Sequence, residues 1–396
     1  MKFIIYLLLM TGSIALAGQT MAQDKDLEKI SWSVPTQIPP APGTDKQLGL
    51  AGVFTGISNG VLIIAGGANF ADGAMPWQGG KKLHYDDVYV LEKGTNDKFN
   101  WLRAKTNHLP HKIAYGASTT IPEGIVCAGG ETETSPGCTD VFLMSWDQDK
   151  KDIAFKTLPS LPLSLANACM TSIGRVIYLI GGESEGKPSP KCFTLNMADK
   201  DPQWKPFADL PAAMSHSVAV TQSNGKYPCV YIIGGRSATA SGISDLHGYT
   251  FCYDLLYNKW IKLVNVTDGK QPINISAATA VAAGKDDILL IGGDKGTIFH
   301  QIETYNSLIA KAQTDQEKQS LQQQKLALLN NHPGFSKDVY RFNTINHTWK
   351  KVGELPFYGQ VTTTAVIWNK AVFIPGGEIK PGIRTAAISM GKFNNK

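Results

Sequence analysis

Six short apolar runs in this chain end in Gly-Gly, at Gly66-Gly67, Gly129-Gly130, Gly181-Gly182, Gly234-Gly235, Gly292-Gly293 and Gly376-Gly377. This recurrence limits the fold more than any other feature. A unit that cannot bury both of its faces alone must stack on its neighbours, so the array counts as one domain despite 396 residues. With 39 glycines and little helical periodicity, the chain reads as all-β, built of short strands and tight turns. A formal charge of +5 is mild for this length and its basic residues are dispersed, which argues against nucleic acid as a partner.

A second pattern follows the first. Trp101 with Leu109-Pro110, Trp204 with Leu210-Pro211 and Trp349 with Leu355-Pro356 each come after a Gly-Gly strand and one further strand. Trp therefore marks the last strand of a four-strand unit. The segment around Trp32 has no such predecessors, and the sixth unit, from Tyr358 to Phe393, has only three strands. The N-terminal strand is expected to supply the fourth and close a ring.

Two stretches interrupt the repeat. Ala68 to Lys82 is Gly-rich and reads as a long loop, a length that often carries function. Between Gln301 and Asn331 the period turns helical through Ile302, Tyr305 and Ile309, and Thr314 with Glu317 forms a capping-box pattern. Two short helices are expected there, inserted in the fifth unit, either as a surface excursion or as a lid.

Lys2, the apolar runs Phe3 to Leu9 and Ile14 to Ala17, and Thr20-Met-Ala22 match a cleavable secretory signal peptide over 1–22. The mature protein, 23–396, is then expected to be periplasmic or secreted. No later segment is long and apolar enough to span a membrane. The six cysteines do not form a disulfide framework: Cys127 and Cys229 sit inside buried runs, while Cys138, Cys169, Cys192 and Cys252 leave room for a pair. Neither pattern specifies an oligomeric state.

Four apolar residues, Gly-Gly, then apolar-Tyr-Asp as in Cys252-Tyr-Asp254, then Trp and apolar-Pro, at intervals of roughly fifty residues, resemble the kelch repeat. Six such units imply a six-bladed kelch-type β-propeller closed by the N-terminal strand, with the helical insertion at about 301–331. A narrower resemblance lies in Phe357-Tyr-Gly359 and Gly377-Glu-Ile-Lys-Pro-Gly-Ile-Arg-Thr385, which are similar to the site segment of the N-acetylneuraminate epimerases, the sialic acid mutarotases. Gly52 to Phe70 and Tyr115-Gly116 leading to Gly130-Glu131 resemble two more stretches of that family, which in its ordinary members lie near the C-terminus. The chain thus resembles a cyclically permuted branch.

The resemblance implies an isomerase that interconverts the α and β anomers of an acidic sugar by opening and reclosing the hemiketal. That reaction needs a base and an acid but no metal, nucleotide or other cofactor. It implies Glu378 as proton acceptor and Arg384 as the carboxylate or oxyanion partner, since a guanidinium offers two parallel donors. Residues after the Gly-Gly pairs, among them Asn69, Glu131, Glu183, Arg236, Asp294 and Glu378, are expected on one rim of the ring. Of these, Asn69, Glu131 and Arg236 are candidate substrate contacts, with Tyr358 as a further hydrogen-bonding candidate. The rival reading is a non-catalytic glycan- or protein-binding propeller. Sialidase boxes and a converging Tyr, Cys and His set for copper are both missing from the sequence.

Overall fold

A computed structural model describes residues 30–394 except 42, 71–73 and 96–97; the expected signal peptide lies outside the described residues. Six four-stranded antiparallel sheets account for most of the chain. Blade 1 runs Phe54–Ser58, Val61–Ala65, Val88–Lys93 and Phe99–Leu102. Blade 2 begins at Ala117–Ile121, blade 3 at Cys169–Ile173, blade 4 at Val218–Ser223 and blade 5 at Thr279–Ala283. Blade 6 contains Val366–Trp368, Ala371–Pro375 and Ala387–Phe393, and its outer strand is Ile30–Gln37. The ring closes as expected, with Ile30 opposite Phe393 and Gln37 opposite Ala387.

The apolar runs before Gly-Gly form the second strand of each blade. Val61–Ala65 and Gly124–Ala128 are buried throughout, as are Asp287–Ile291 and Ala371–Pro375. Near-continuous apolarity is what a strand covered on both faces requires. Each fully buried aliphatic side chain there is worth about 1.5–3 kcal/mol. Gly-Gly then turns the chain out of the sheet: in blade 6, Gly376 and Gly377 have φ of 61° and 95°, a region that side chains rarely tolerate.

In blades 1, 3 and 4 a tryptophan at the outer strand fastens the blade to the one before it. Trp101 Nε1 donates to Thr36 Oγ1 at 3.2 Å, Trp204 to the Pro159 carbonyl at 2.8 Å and Trp260 to the Ala208 carbonyl at 2.9 Å. The bond from Trp101 ties blade 1 to the N-terminal strand, so it seals the ring where the two chain ends meet.

At one end of the channel the backbone forms a closed circle. Gly52 N donates to the Thr362 carbonyl, Tyr115 N to Gly52, Asn167 N to Tyr115, His216 N to Asn167, Ala277 N to His216 and Thr362 N to Ala277, over 2.7–3.4 Å. All six residues have left-handed φ, between 53° and 68°. Only Gly52 adopts this freely, and for β-branched Thr362 it is unusual. Strain of this kind concentrates at functional sites. The first strand of blade 1 begins at Phe54, because residues 51 and 52 are spent on the bridge and the ring.

The rim above this circle is built from the connections between the second and third strands. The expected loop after Ala68 is in part a hairpin, with Ala68–Phe70 paired to Lys82–His84. Glu378–Lys380 pairs with Ile383–Arg384 in the same position of blade 6. In blade 5 the connection is helical, α1 (Thr297–Lys311) and α2 (Asp315–Asn330), so the insertion starts four residues earlier than its periodicity suggests. Thr314 caps α2 by accepting from Glu317 N at 3.1 Å. All six cysteines are free, so the pair left open among Cys138, Cys169, Cys192 and Cys252 does not form.

Candidate active site

A cavity of about 370 Å³ lies above the backbone circle, with Tyr115, Asn167, His216, Ala277 and Thr362 as its floor. Below it the propeller channel, about 740 Å³, is lined largely by Thr, Ala and Val with no carboxylate. Of the two spaces, only the upper one is lined by carboxylates, lysine or arginine: Lys82, Glu131, Arg236, Asp294 and Glu378. Of the six rim positions that follow Gly-Gly, Glu131, Arg236, Asp294 and Glu378 line this cavity, and Asn69 and Glu183 do not.

Glu378 and Arg384 face each other directly across their hairpin, which places both side chains on one face. Arg384 Nη1 donates to Glu378 Oε1 at 3.1 Å, and Gly382 N donates to the same oxygen at 2.6 Å. Oε2 is the oxygen left for a ligand. Burial pushes the Glu378 carboxyl above the usual carboxylate range, and Arg384 only partly offsets this.

Arg384 does not stand in the cavity as expected. Its side chain is 6% exposed, Nη2 donates to Tyr115 Oη at 3.2 Å, and its Cζ lies 4.7 Å from the centre of the Phe70 ring. The fork is engaged by Glu378 and Tyr115, and Arg384 is not part of the cavity lining. Its Nε is buried without a partner.

Glu131 accepts from Lys82 Nζ at 2.5 Å and sits 3.0 Å from His84 Nε2. Burial alone would raise its pKa, but the bonds from His84 and Lys82 outweigh it and hold the carboxyl below the usual range. Lys82 is 39% exposed and lies 5.2 Å from the Tyr115 ring centre, so it is an accessible cation next to the Glu378 cluster. On the far wall Arg236 approaches Glu183 at 3.7 Å and covers the Phe299 ring at 5.0 Å. Burial, with Arg236 adding to it, holds His216 neutral. Burial also raises Asp294, whose Oδ1 accepts from Gly296 N at 2.8 Å.

Two candidates have other roles. Asn69 is buried outside the cavity lining, with Nδ2 donating to the Gly49 carbonyl at 3.1 Å and Oδ1 accepting from Tyr85 Oη at 2.7 Å, so it fastens the hairpin. Tyr358 is 42% exposed and lies outside the cavity lining, with Lys337 and Lys380 above its ring. Sequence reasoning gave no role to Lys82, Asn167, His216 or the insertion residues Phe299, Ile302 and Leu329, all of which line the cavity. Among the described residues no group of three or more His, Cys, Asp or Glu is suited to a metal.

Fold and site together define a six-bladed kelch-type propeller whose rim carries a buried carboxylate–guanidinium pair over a polar funnel. The profile model of the N-acetylneuraminate epimerases matches residues 8–153 and 158–396, and the chain belongs to that family. It is 25% identical over 244 residues to an N-acetylneuraminate epimerase of Haemophilus influenzae strain PittEE, covering 61% of this chain and 60% of that one. One from Vibrio cholerae is 35% identical over 117 residues, 27% of this chain and 29% of its own length. The match to the Haemophilus protein thus spans three fifths of that relative. The solved structure of YjhT superposes with a TM-score of 0.58 at 16% identity, covering 90% of this chain and 96% of that one, which supports the fold.

Proposed function

We propose that this chain is an exported mutarotase that interconverts the α and β anomers of N-acetylneuraminate. The observation that carries the reading is the Glu378–Arg384 pair: a carboxylate in the cavity, held through one oxygen and raised in pKa by burial. A carboxylate whose pKa is raised takes a proton more readily than an exposed one, and the carboxylic acid so formed is the proton source for the ring oxygen.

Ring opening begins when Glu378 Oε2 takes the proton of the anomeric hydroxyl. The carbonyl forms as the bond from C2 to the ring oxygen breaks, and that oxygen receives a proton. Rotation about the C2–C3 bond presents the other face of the ketone, and the same steps in reverse close the other anomer. Both exchanged protons belong to oxygens attached to C2 in the cyclic form, so one carboxyl can serve both in turn. Arg384 fixes the rotamer of Glu378, and Lys82 is the accessible cation for the sugar's carboxylate. The permuted blade order is part of this reading, and it rests on the early position of Gly52 to Phe70 and of Tyr115 to Glu131 in the chain.

Proton NMR of freshly released α-N-acetylneuraminate tests the function, at a pH where spontaneous conversion is slow. Acceleration by the wild type and its loss in Glu378→Gln, with an unchanged circular dichroism spectrum, are expected. Binding without acceleration would favour a recognition propeller instead.

A further inference from the structure

The cavity has two chemically different sides. Glu378, Lys82 and Glu131 sit towards blades 6, 1 and 2, whereas Phe299 and Ile302 of α1, with Leu329 of α2 and Leu246 of blade 4, form an apolar wall next to Arg236, Asp294 and His332. That wall comes almost entirely from the helical insertion. It is also anchored: Glu303 of α1 accepts from Ser244 N at 2.8 Å and Ser244 Oγ at 2.6 Å, and the Phe299 ring lies beneath Arg236. Both contacts join α1 to blade 4, so the wall keeps a fixed place on that side.

An apolar wall is costly to set against hydroxyls, because each would lose water without gaining a partner. A nine-carbon acidic sugar carries a carboxylate, ring hydroxyls and a glycerol tail, all polar. Its one apolar terminus is the methyl of the acyl group on the C5 nitrogen. In the pyranose, C5 lies across the ring from C2. When C2 sits against Glu378, the C5 substituent is directed away from it.

We propose that the helical insertion reads the C5 substituent, seating the N-acetyl methyl against Phe299, Ile302 and Leu329. This rests on the mutarotase reading and adds which part of the chain sets specificity. The N-glycolyl sugar puts a hydroxyl where the methyl would be, and the deaminated sugar has a hydroxyl in place of the whole acylamino group. Apolar pockets discriminate against an added hydroxyl by up to about 100-fold.

The test compares the three sugars on the wild-type protein and on Ile302→Asn and Ile302→Thr, by anomer-exchange NMR and by saturation transfer to the sugar protons. Ile302 is half-buried on a rim helix, so both variants keep the propeller core, and Thr changes the shape least. The expected result is a kcat/KM about 10–100-fold higher for the N-acetyl sugar than for the other two. Saturation should reach the acetyl methyl most strongly, and both signals should fall in the variants. Saturation transfer needs binding but no turnover, which separates the two readings. Binding with strong transfer to the methyl but no rate acceleration would remove the mutarotase and leave the C5 assignment standing. Equal rates on all three sugars, or variants that leave the preference intact, would overturn the C5 assignment alone. No binding of any of the three would overturn both.

Discussion

Replacing Arg384 by Ala isolates the energetics of the site from its chemistry. The guanidinium is almost fully buried and, among the described residues, is the only cation in a salt bridge with the Glu378 carboxylate, itself 16% exposed. Removing one partner of a buried pair leaves the other charge uncompensated and costs about 3–5 kcal/mol. For a ring spanning 30–394, an unfolding entropy of about 0.8 kcal/mol/K turns this into a fall in Tm of about 4–6 °C. The charge, not the lost packing, should dominate. Glu378→Gln combined with Arg384→Ala is therefore expected to melt above Arg384→Ala alone, with a coupling of about 2–3 kcal/mol. The sign of the pH dependence follows. Burial already raises the folded-state pKa of Glu378, and loss of Arg384 raises it further. A raised group contributes stability below its unfolded pKa, about 4.3, and loses it as pH rises through the folded value. The penalty of Arg384→Ala should thus be small near pH 4 and grow towards neutrality. Urea and thermal melts of the four proteins across that range provide the measurement. Additivity within about 0.5 kcal/mol, or a penalty independent of pH, would refute the uncompensated-charge argument.

Other expectations concern separate parts of the ring. Lys82→Met should raise KM for the sugar about 10-fold with little change in kcat, as loss of a charged contact does; steady-state NMR rates decide it, and an unchanged KM would remove Lys82 from recognition. Gly116→Ala should destabilise by about 1–3 kcal/mol, because a Cβ there would lie 2.3 Å from Phe54 Cε1 and 2.5 Å from the Gly129 carbonyl oxygen. A melt equal to wild type would show that Phe54 gives way.

The repeat made the ring legible because every unit carries the same two punctuation marks, Gly-Gly and Trp, and a missing strand at one end matched a spare strand at the other. The Glu378–Arg384 pair was legible for a local reason: a Pro-Gly turn sets six-residue partners opposite each other. What escaped was long-range. Tyr115 meets Arg384 across 269 residues of sequence, and no local pattern states that their fork and hydroxyl engage each other. Asn69 had the right position after Gly-Gly, but two internal hydrogen bonds, including one from Tyr85 in the paired strand region, use its amide. Lys82 fell at the end of a stretch read as loop, and His84 just past it, because a three-residue strand carries too few alternations to register. The wall of Phe299, Ile302 and Leu329 was hidden because the periodicity that reveals a helix does not say which neighbour its apolar side meets.

The strand at Ile30–Gln37 is the first described part of the chain to be synthesised, yet its partner, Ala387–Phe393, is among the last. Blades 1 to 5 are each contiguous in sequence and can pair as they emerge, with only local loops to close. Blade 6 cannot, since its closure entropy spans nearly the whole chain. During that interval two unpaired edges are open to a second molecule as readily as to each other. The final pairing is therefore a competition between an intramolecular clasp and a domain swap, decided by protein concentration. Refolding yield should be the property of this protein most sensitive to dilution, even where its folded ring is indifferent to it.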